Sequence, residues 1–213
     1  MSAIPRRRGP RVDVDVRTTL LDTAEELFGT AGVEVVSLRA VARAAGVAPA
    51  ALTHHFPSKR ALVEAVVLRR GRPVGDGVRQ RLRDLQGRED LTARDLVDAV
   101  LVPFVEELDR EPVRAVRWLK ILVTLALNED EIVMRELVED VDVTALFLGA
   151  ASAVPGLRDT VVGQRAGIAM FSMLTALAGA DLGGYGRPIG PDGLDPAYVE
   201  QLAAFTSGGL EAR

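Results

Sequence analysis

The sequence of 213 residues predicts an all-α protein of about nine helices, with a small N-terminal region and a larger C-terminal helical region. Apolar residues recur at intervals of three and four residues along most of the chain, and no segment shows the alternation of a half-buried strand. Clusters of glycine and proline separate the periodic segments. Hydrophobic residues make up 48% of the chain, which indicates a folded core.

The first predicted helix covers Val16 to Ala31 and ends at Gly32. Its apolar stripe predicts that one face packs over the next two helices. Residues 1–13 precede this helix and are predicted to be a disordered basic arm. Such an arm either follows the phosphates or minor groove of DNA, or remains an inert solvated terminus. The arm carries Arg6, Arg7, Arg8 and Arg11.

Two short helices joined by a glycine turn are predicted next. Ser37 stands where a helix-capping hydroxyl is favoured, and the apolar residues that follow it have helical spacing. Gly46 ends this helix where a left-handed backbone conformation costs least. Pro49 fits the first turn of the second helix, and Leu52 supplies an apolar plug. This layout is that of a helix-turn-helix.

The stretch AGVAPAALTHHFPSKRAL, residues 45–62, resembles the DNA-binding domain of the TetR family of transcriptional regulators. The resemblance implies that residues near Ala48 to His55 form the recognition helix. It also implies that Lys59 starts the helix that leads into a regulatory domain. Two positions depart from the family pattern, because Ala48 replaces a frequent Ser or Thr cap and Thr53 replaces a frequent Tyr.

The predicted DNA-binding residues lie on the two helices and at the start of the third. Small and polar side chains on the second helix are expected to contact thymine methyls and base edges, or simply to allow close approach to the groove. The basic and hydroxyl side chains are expected to contact bases or phosphates. The set is Ser37, Arg39, Arg43, Pro49, Ala50, Ala51, Thr53, His54, Ser58 and Lys59.

Further helices are predicted over residues 58–70, 91–109, 113–127, 129–153, 158–182 and 195–206. The segment from Arg72 to Gly87 is interpreted as the boundary between two functional regions, and the run from Gly183 to Gly193 as a loop. The predicted domains are residues 14–58, the helix-turn-helix domain, and residues 59–213, the regulatory and dimerisation domain.

The TetR resemblance implies a small-molecule pocket and a homodimer in the second domain. Bulky, adaptable apolar residues are the pocket candidates, although plain core is the alternative for each. They are Phe104, Trp118, Leu122, Leu125, Met134, Phe147, Met170 and Phe171. The small-residue helix near residues 158–182 and the last helix are the dimer candidates, with the centre of a monomer core as the alternative. They are Ala166, Ala169, Met173, Ala176, Leu177, Ala180, Leu202 and Phe205.

The composition excludes several kinds of site and of protein. The chain has no cysteine, which excludes disulfides and thiolate sites, and adjacent His54 and His55 are a poor metal pair, so no metal and no cofactor are expected. The longest uncharged apolar run, residues 166–180, has 15 residues, short of the ~20 that span a membrane. No secretory signal is evident, so a cytoplasmic protein with no membrane partner is expected.

Charge is unevenly divided. Residues 1–72 hold 12 basic and 7 acidic residues, a net +5, and residues 73–213 hold 14 basic and 23 acidic residues, a net −9. A basic front orients a molecule toward a polyanion.

The leading hypothesis is a homodimeric repressor that a small apolar or amphipathic ligand releases from a palindromic double-stranded operator. The alternatives are an enzyme with an appended helix-turn-helix and a ligand-independent DNA-binding protein. No Walker loop and no G-x-S-x-G is present, and no catalytic residue is predicted.

Overall fold

The computed structural model describes residues 10–135, 141–157 and 162–212, and the chain divides into two compact units, up to Val66 and from Val67 onward. The described residues form ten α-helices and one short hairpin, which confirms the all-α class. The helices are α1 Pro10–Ala31, α2 Leu38–Ala44, α3 Pro49–His55, α4 Lys59–Asp84, α5 Ala93–Arg110, α6 Pro112–Leu127, α7 Glu131–Val133, α8 Val141–Ala153, α9 Val162–Ala178 and α10 Pro196–Glu211. Strands β1 Ile189–Gly190 and β2 Gly193–Leu194 pair antiparallel.

The first unit is built around a small apolar core that α1, α2, α3 and the start of α4 share. Phe28 of α1, Leu52 of α3 and Leu62 of α4 are almost fully buried, and so is Phe56 between α3 and α4. Phe56 and Leu62 therefore help to close this core. Helix α1 begins at Pro10, a residue suited to a first helical turn, so the predicted disordered arm is wrong for residues 10–13. Residues 1–9, with Arg6, Arg7 and Arg8, lie outside the described residues.

Helix α4 is longer than predicted, because it continues past Arg70 to Asp84 and passes through Pro73. Proline removes one backbone hydrogen bond from a helix interior, which favours a break. Here Val74, Val78 and Leu82 recur every four residues and are all buried, so packing of this face offsets that loss. The predicted boundary over residues 72–87 is therefore mostly helix.

The second unit is a helical bundle in which α6 packs on α9, and α10 packs on both α5 and α9. The indole N–H of Trp118 on α6 donates a hydrogen bond of 3.0 Å to the backbone carbonyl of Val67 on α4. The same indole stacks on Phe104 of α5 with 6.1 Å between ring centroids. One aromatic side chain thus joins three helices.

A buried ion cluster lies among α4, α5 and the residue that precedes α6. The Arg70 guanidinium pairs with Glu107 and, at 2.6 Å, with Glu111, and the side chains of Arg70 and Glu107 are each 5% exposed. The hydrogen bond from Arg70 holds the pKa of the Glu111 carboxyl below its ordinary value. Removing one partner of such a buried pair typically costs about 3–5 kcal/mol, so the cluster fixes the contact among these helices.

The structure after α6 differs from the prediction in two places. The helix expected over residues 129–153 corresponds to α7 and α8; Glu129 has a left-handed φ of 51°, and the Asp130 side chain caps α7 instead. Residues 136–140 between them, and residues 158–161 before α9, lie outside the described residues. The run over residues 183–193, predicted to be a loop, contains β1 and the start of β2, where the backbone N–H of Leu194 donates to the Asp109 carboxylate at 3.0 Å.

Candidate nucleic-acid interface

The turn between α2 and α3 is held by a pair of backbone hydrogen bonds at Gly46. The Val47 N–H donates to the Ala42 carbonyl at 3.0 Å, and the Gly46 N–H donates to the Arg43 carbonyl at 3.2 Å. This is the Schellman arrangement, and it needs a left-handed residue at the turn. Gly46 has a φ of 67°, as the sequence predicts.

The N-terminal ends of α2 and α3 differ in how they are capped. The Ser37 hydroxyl accepts a hydrogen bond of 3.2 Å from the Ala40 N–H, which confirms Ser37 as the cap of α2. Ala48 occupies the corresponding position before α3 and makes no side-chain cap bond, while Pro49 takes the first helical position. Helix α3 therefore starts without the stabilisation that a hydroxyl cap supplies.

Helix α3 turns one side into the core and the other to solvent. Leu52 is buried, Ala51 is half-buried, and the remaining candidates are exposed. The exposed residues are Pro49, Ala50, Thr53 and His54. The Thr53 hydroxyl donates to the Pro49 and Ala50 carbonyls at 3.1 and 3.2 Å, so its proton is already used within the helix. Its methyl group and oxygen lone pairs remain for an outside partner.

Arg39 and Arg43 lie four residues apart on α2, so they share one side of that helix. Both are exposed, and neither forms an ion pair or side-chain hydrogen bond within the part of the chain that the structure describes. Two guanidinium groups without a partner in this part of the chain are well placed for phosphate or guanine contacts.

Ser58 and Lys59 already have partners within the first unit. The Ser58 hydroxyl accepts from the Ala61 N–H at 3.1 Å, and the Lys59 ammonium donates to the Glu34 carbonyl at 3.0 Å. An ammonium has three donors, so Lys59 keeps donors for a phosphate, but the bond to Glu34 restrains it. Their predicted phosphate contacts stay predictions.

Arg17 is a residue of this unit that the sequence analysis did not single out. Its guanidinium carbon lies 5.3 Å from the centroid of the Phe56 ring, a cation–π contact between α1 and the residue that follows α3. The sequence carries no signal for this contact, because the two residues are far apart along the chain.

The rings of His54 and His55 meet edge to face at 5.3 Å. No group of three metal-ligating side chains occurs among the described residues.

The predicted ligand residues are divided between packed core and one pocket. Phe104, Trp118, Leu122 and Leu125 are at most 4% exposed, and the Trp118 N–H is already bonded. Met134 is half-buried, and Phe171 is exposed. Phe147 and Met170 instead line a small apolar pocket that is partly open to solvent. Two of the eight predicted residues, Phe147 and Met170, thus meet at this pocket of the described residues.

Most of the predicted dimer residues are covered by the chain itself. Met173, Leu177 and Ala180 are at most 1% exposed, which leaves them no surface for a second copy, and Ala169 and Leu202 are also buried. Ala166 and Ala176 are half-buried. Of the set, only Phe205 is largely exposed, at 73%. The predicted dimer surface was wrong at these positions for a physical reason. Small residues occur on all sides of α9, so its composition does not tell which side of the helix faces inward.

Helices α9 and α10 carry three exposed large apolar side chains. Ile168 and Phe171 of α9 are 68% and 37% exposed, and Phe205 of α10 is exposed as well. Helices α9 and α10 pack against each other. We call these three side chains the α9–α10 apolar face.

The geometry now defines the class of protein, a helix-turn-helix protein with a second, helical unit. Residues 20–66 match the family model of bacterial regulatory proteins, tetR family. The chain is also 38% identical over 52 residues to the HTH-type transcriptional regulator UidR of Escherichia coli (strain K12). That alignment covers 24% of this chain and 26% of UidR, so the chain spans about a quarter of the length of the curated relatives it matches.

Two solved structures share the fold over most of the chain. The Mycobacterium smegmatis AmtR structure has a TM-score of 0.57 at 19% identity and covers 99% of this chain and 91% of AmtR. The probable transcriptional regulatory protein RHA5900 has a TM-score of 0.60 at 23% identity and covers 92% of this chain and 100% of RHA5900. The sequence that this chain shares with the tetR family lies in its helix-turn-helix unit, within residues 20–66. Within residues 10–135, 141–157 and 162–212, no helix has the length and apolar character that crossing a bilayer requires.

Replacing Ala48 by Ser is expected to stabilise α3. Ala48 has an extended backbone, φ −65° and ψ 141°, which suits a capping residue. A serine hydroxyl there would accept from an unpaired N–H of the first turn and add about 1 kcal/mol. Urea denaturation and amide exchange of α3 measure the change. Ala44→Ser, at an exposed position at the C-terminal end of α2, is the matched control and is expected to give no gain; equal gains would contradict the capping explanation.

Proposed function

We propose that the protein is a sequence-specific DNA-binding transcriptional regulator, and that it acts as a homodimeric repressor in the cytoplasm. The observation that carries the proposal is the α2–Gly46–α3 turn. It leaves one side of α3 exposed beside Arg39 and Arg43 of α2, which have no partner among the residues that the structure describes. A helix presented in this way fits the major groove of B-DNA. The TetR-family match to residues 20–66 supports it.

The chemistry of α3 favours readout by shape and methyl contact. Ala50 and the Thr53 methyl offer apolar contacts to thymine methyls, and the Thr53 oxygen accepts a bond from a base amino group. His54 adds a ring nitrogen that can donate or accept. None of these side chains makes the bidentate contact that arginine makes with guanine, so Arg39 and Arg43 supply the charge.

A second copy of the chain is the proposed occupant of the α9–α10 apolar face. Large apolar side chains that stay exposed on two helices packed together are candidates for an interaction surface. A two-fold dimer brings the same face of each copy together and presents two α3 helices, which requires a palindromic operator. The dimer surface proposed here thus uses Ile168, Phe171 and Phe205 instead of the buried α9 residues.

Release from the operator is proposed to follow binding of a small molecule to the second unit. Such an effector shifts the equilibrium only by the difference between its affinities for the released and the DNA-bound conformations. A ligand-independent DNA-binding protein would show no such release. The enzyme alternative gains no support from the relatives, which are named as transcriptional regulators.

Replacing Thr53 by Ala is expected to weaken binding to the operator more than binding to random DNA. The change removes a methyl group and an acceptor from the exposed side of α3, so the specificity ratio should fall by about tenfold. The operator is first obtained by selection from random duplexes, and fluorescence anisotropy then gives both affinities. Thr30→Ala on α1 is the control, because the Thr30 hydroxyl also bonds back to its own helix, at 2.7 Å. If Thr53→Ala lowered the affinities for the operator and for random DNA equally, Thr53 would not contribute to base recognition.

Replacing Arg43 by Ala is expected to lower the salt dependence of DNA binding. If the guanidinium neutralises one phosphate, the slope of log affinity against log salt becomes shallower by about 0.9. Arg187→Ala removes the same charge from the second unit and should leave the slope unchanged. A titration of anisotropy against salt concentration measures all three proteins, and an unchanged slope for Arg43→Ala would contradict a phosphate contact.

Replacing Phe205 by Glu is expected to convert the dimer to monomers. The substitution places a carboxylate in the proposed interface, where burying an unpaired charge costs several kcal/mol and raises the dissociation constant more than about tenfold. Leu127→Glu is the matched control, since Leu127 of α6 is 66% exposed, close to the 73% of Phe205. Light scattering coupled to gel filtration reports the mass. A dimer that survives Phe205→Glu and dissociates in Leu127→Glu would move the interface to α6.

A further inference from the structure

The two histidines of the chain both lie in the last turn of α3. His54 is exposed and His55 is half-buried, and their rings meet edge to face with 5.3 Å between centroids. Histidine is the side chain that ordinarily changes its charge between pH 5 and 8, and the chain has no cysteine. A change of charge at the candidate interface near neutral pH is therefore expected at these two rings.

The length of α3 places the two rings toward the edge of a DNA groove. Helix α3 has 7 residues, so it is about 10 Å long, and the major groove of B-DNA is about 12 Å wide. In helix-turn-helix complexes, the N-terminal residues of the recognition helix contact base edges. The C-terminal end of α3, with both histidines, then lies toward the phosphates, whose oxygens accept hydrogen bonds.

The surroundings of the two rings do not favour a positive charge in the absence of DNA. Among the described residues, neither histidine makes a hydrogen bond or an ion pair, and their ring contacts are with each other and with Phe56. The centroid of the Phe56 ring lies 6.5 Å from that of His55 and 5.3 Å from the guanidinium carbon of Arg17. A second imidazole and an arginine nearby oppose protonation, because like charges repel.

The elements around α3 carry charges of both signs. Helices α1 and α2 pack on α3, and Lys59 at the start of α4 is bonded to the Glu34 carbonyl. Within the described part of the chain, no carboxylate of these elements is bonded to His54 or His55. The charged residues with described side chains on α1, on α2, before α2 and on α4 up to Val66 are Asp15, Arg17, Asp22, Glu25, Glu26, Glu34, Arg39, Arg43, Lys59, Arg60 and Glu64.

We propose that His54 and His55 form a proton-dependent contact to DNA phosphates, so that the protein takes up protons when it binds DNA. A protonated imidazole donates hydrogen bonds from both ring nitrogens, whereas a neutral imidazole donates from one. The phosphates supply the negative charge that stabilises the protonated rings. Because the DNA-bound state then holds more protons than the free state, the affinity for DNA falls as the pH rises. The inference rests on the proposed DNA-binding function and adds its regulation by pH.

Two measurements on the full chain and its selected operator test the proton uptake. Calorimetric titration in buffers of different ionisation enthalpy gives the number of protons taken up, for which we expect about one half to two. Fluorescence anisotropy at constant salt is expected to show binding at least about fivefold tighter near pH 6 than near pH 8. Absence of proton uptake, or affinities that agree within about twofold at the two pH values, would overturn the proposal.

Glutamine substitutions test the location. His54→Gln and His55→Gln each keep a polar side chain without a titrating group, so each should reduce the ratio of the two affinities, and the double variant should bring it to about one. His54→Gln keeps the test valid if the half-buried substitution unfolds the chain, because His54 is exposed. A wild-type ratio in His54→Gln or in the double variant would overturn the proposal.

Two arginine positions distinguish a titrating charge from a permanent one. His54→Arg supplies a permanent charge and should bind the operator near pH 8 more tightly than His54→Gln does. Arg43→Ala is the matched control, since it removes a permanent charge from α2 and should weaken binding equally at both pH values. Equal affinities of His54→Arg and His54→Gln near pH 8 would contradict a phosphate contact.

The same experiments separate this inference from the regulator function. Tight and selective operator binding with no proton uptake overturns the inference alone. Equal affinities for the selected duplex and random DNA at both pH values overturn sequence-specific recognition alone, if binding to random DNA still takes up protons and the double glutamine variant abolishes that uptake.

Discussion

The left-handed backbone at Gly46 is the constraint on which the candidate interface depends. The two hydrogen bonds that close α2 require a φ near 67° at this position, which costs any residue with a Cβ about 1–2 kcal/mol. The turn then sets the direction in which α3 leaves, and the burial of Leu52 determines which side of α3 faces the core. The exposure of Thr53 and His54 follows from these two facts. The backbone conformation at Gly46 and the burial of Leu52 thus determine which side chains of α3 can reach DNA at all.

In the proposed interface, α3 supplies the contacts to bases and α2 supplies the positive charge. The exposed side of α3 is small and nearly neutral, which permits close approach to bases and gives little long-range attraction. Arg39 and Arg43 on α2 carry the exposed charge, and they are unpaired within the described residues. Lys59 and Ser58, by contrast, already make hydrogen bonds within the first unit. Affinity and selectivity are therefore expected to respond to different substitutions.

Local patterns were sufficient for the turn between α2 and α3, and tertiary packing limited the prediction of the second unit. Ser37 and Gly46 were predictable because capping and turn geometry depend on neighbours a few residues away. The continuation of α4 through Pro73 could not be predicted in this way. It depends on the burial of one side of α4 against other helices of the second unit. The composition of α9 showed that the helix is buried without showing which side, so Met173 was assigned to the wrong surface. Trp118 was predicted to shape a pocket, and its buried hydrogen bond places it in the core.

The setting of Trp118 also gives the molecule a built-in optical probe. It is the only tryptophan in the sequence, it is 1% exposed, and its N–H is bonded to the Val67 carbonyl. An indole in such dry surroundings emits at short wavelength, and admission of water shifts the emission to the red. Because the ring touches α4, α5 and α6 at once, its emission reports any rearrangement of these three helices. The chain can therefore signal its internal state without an attached dye.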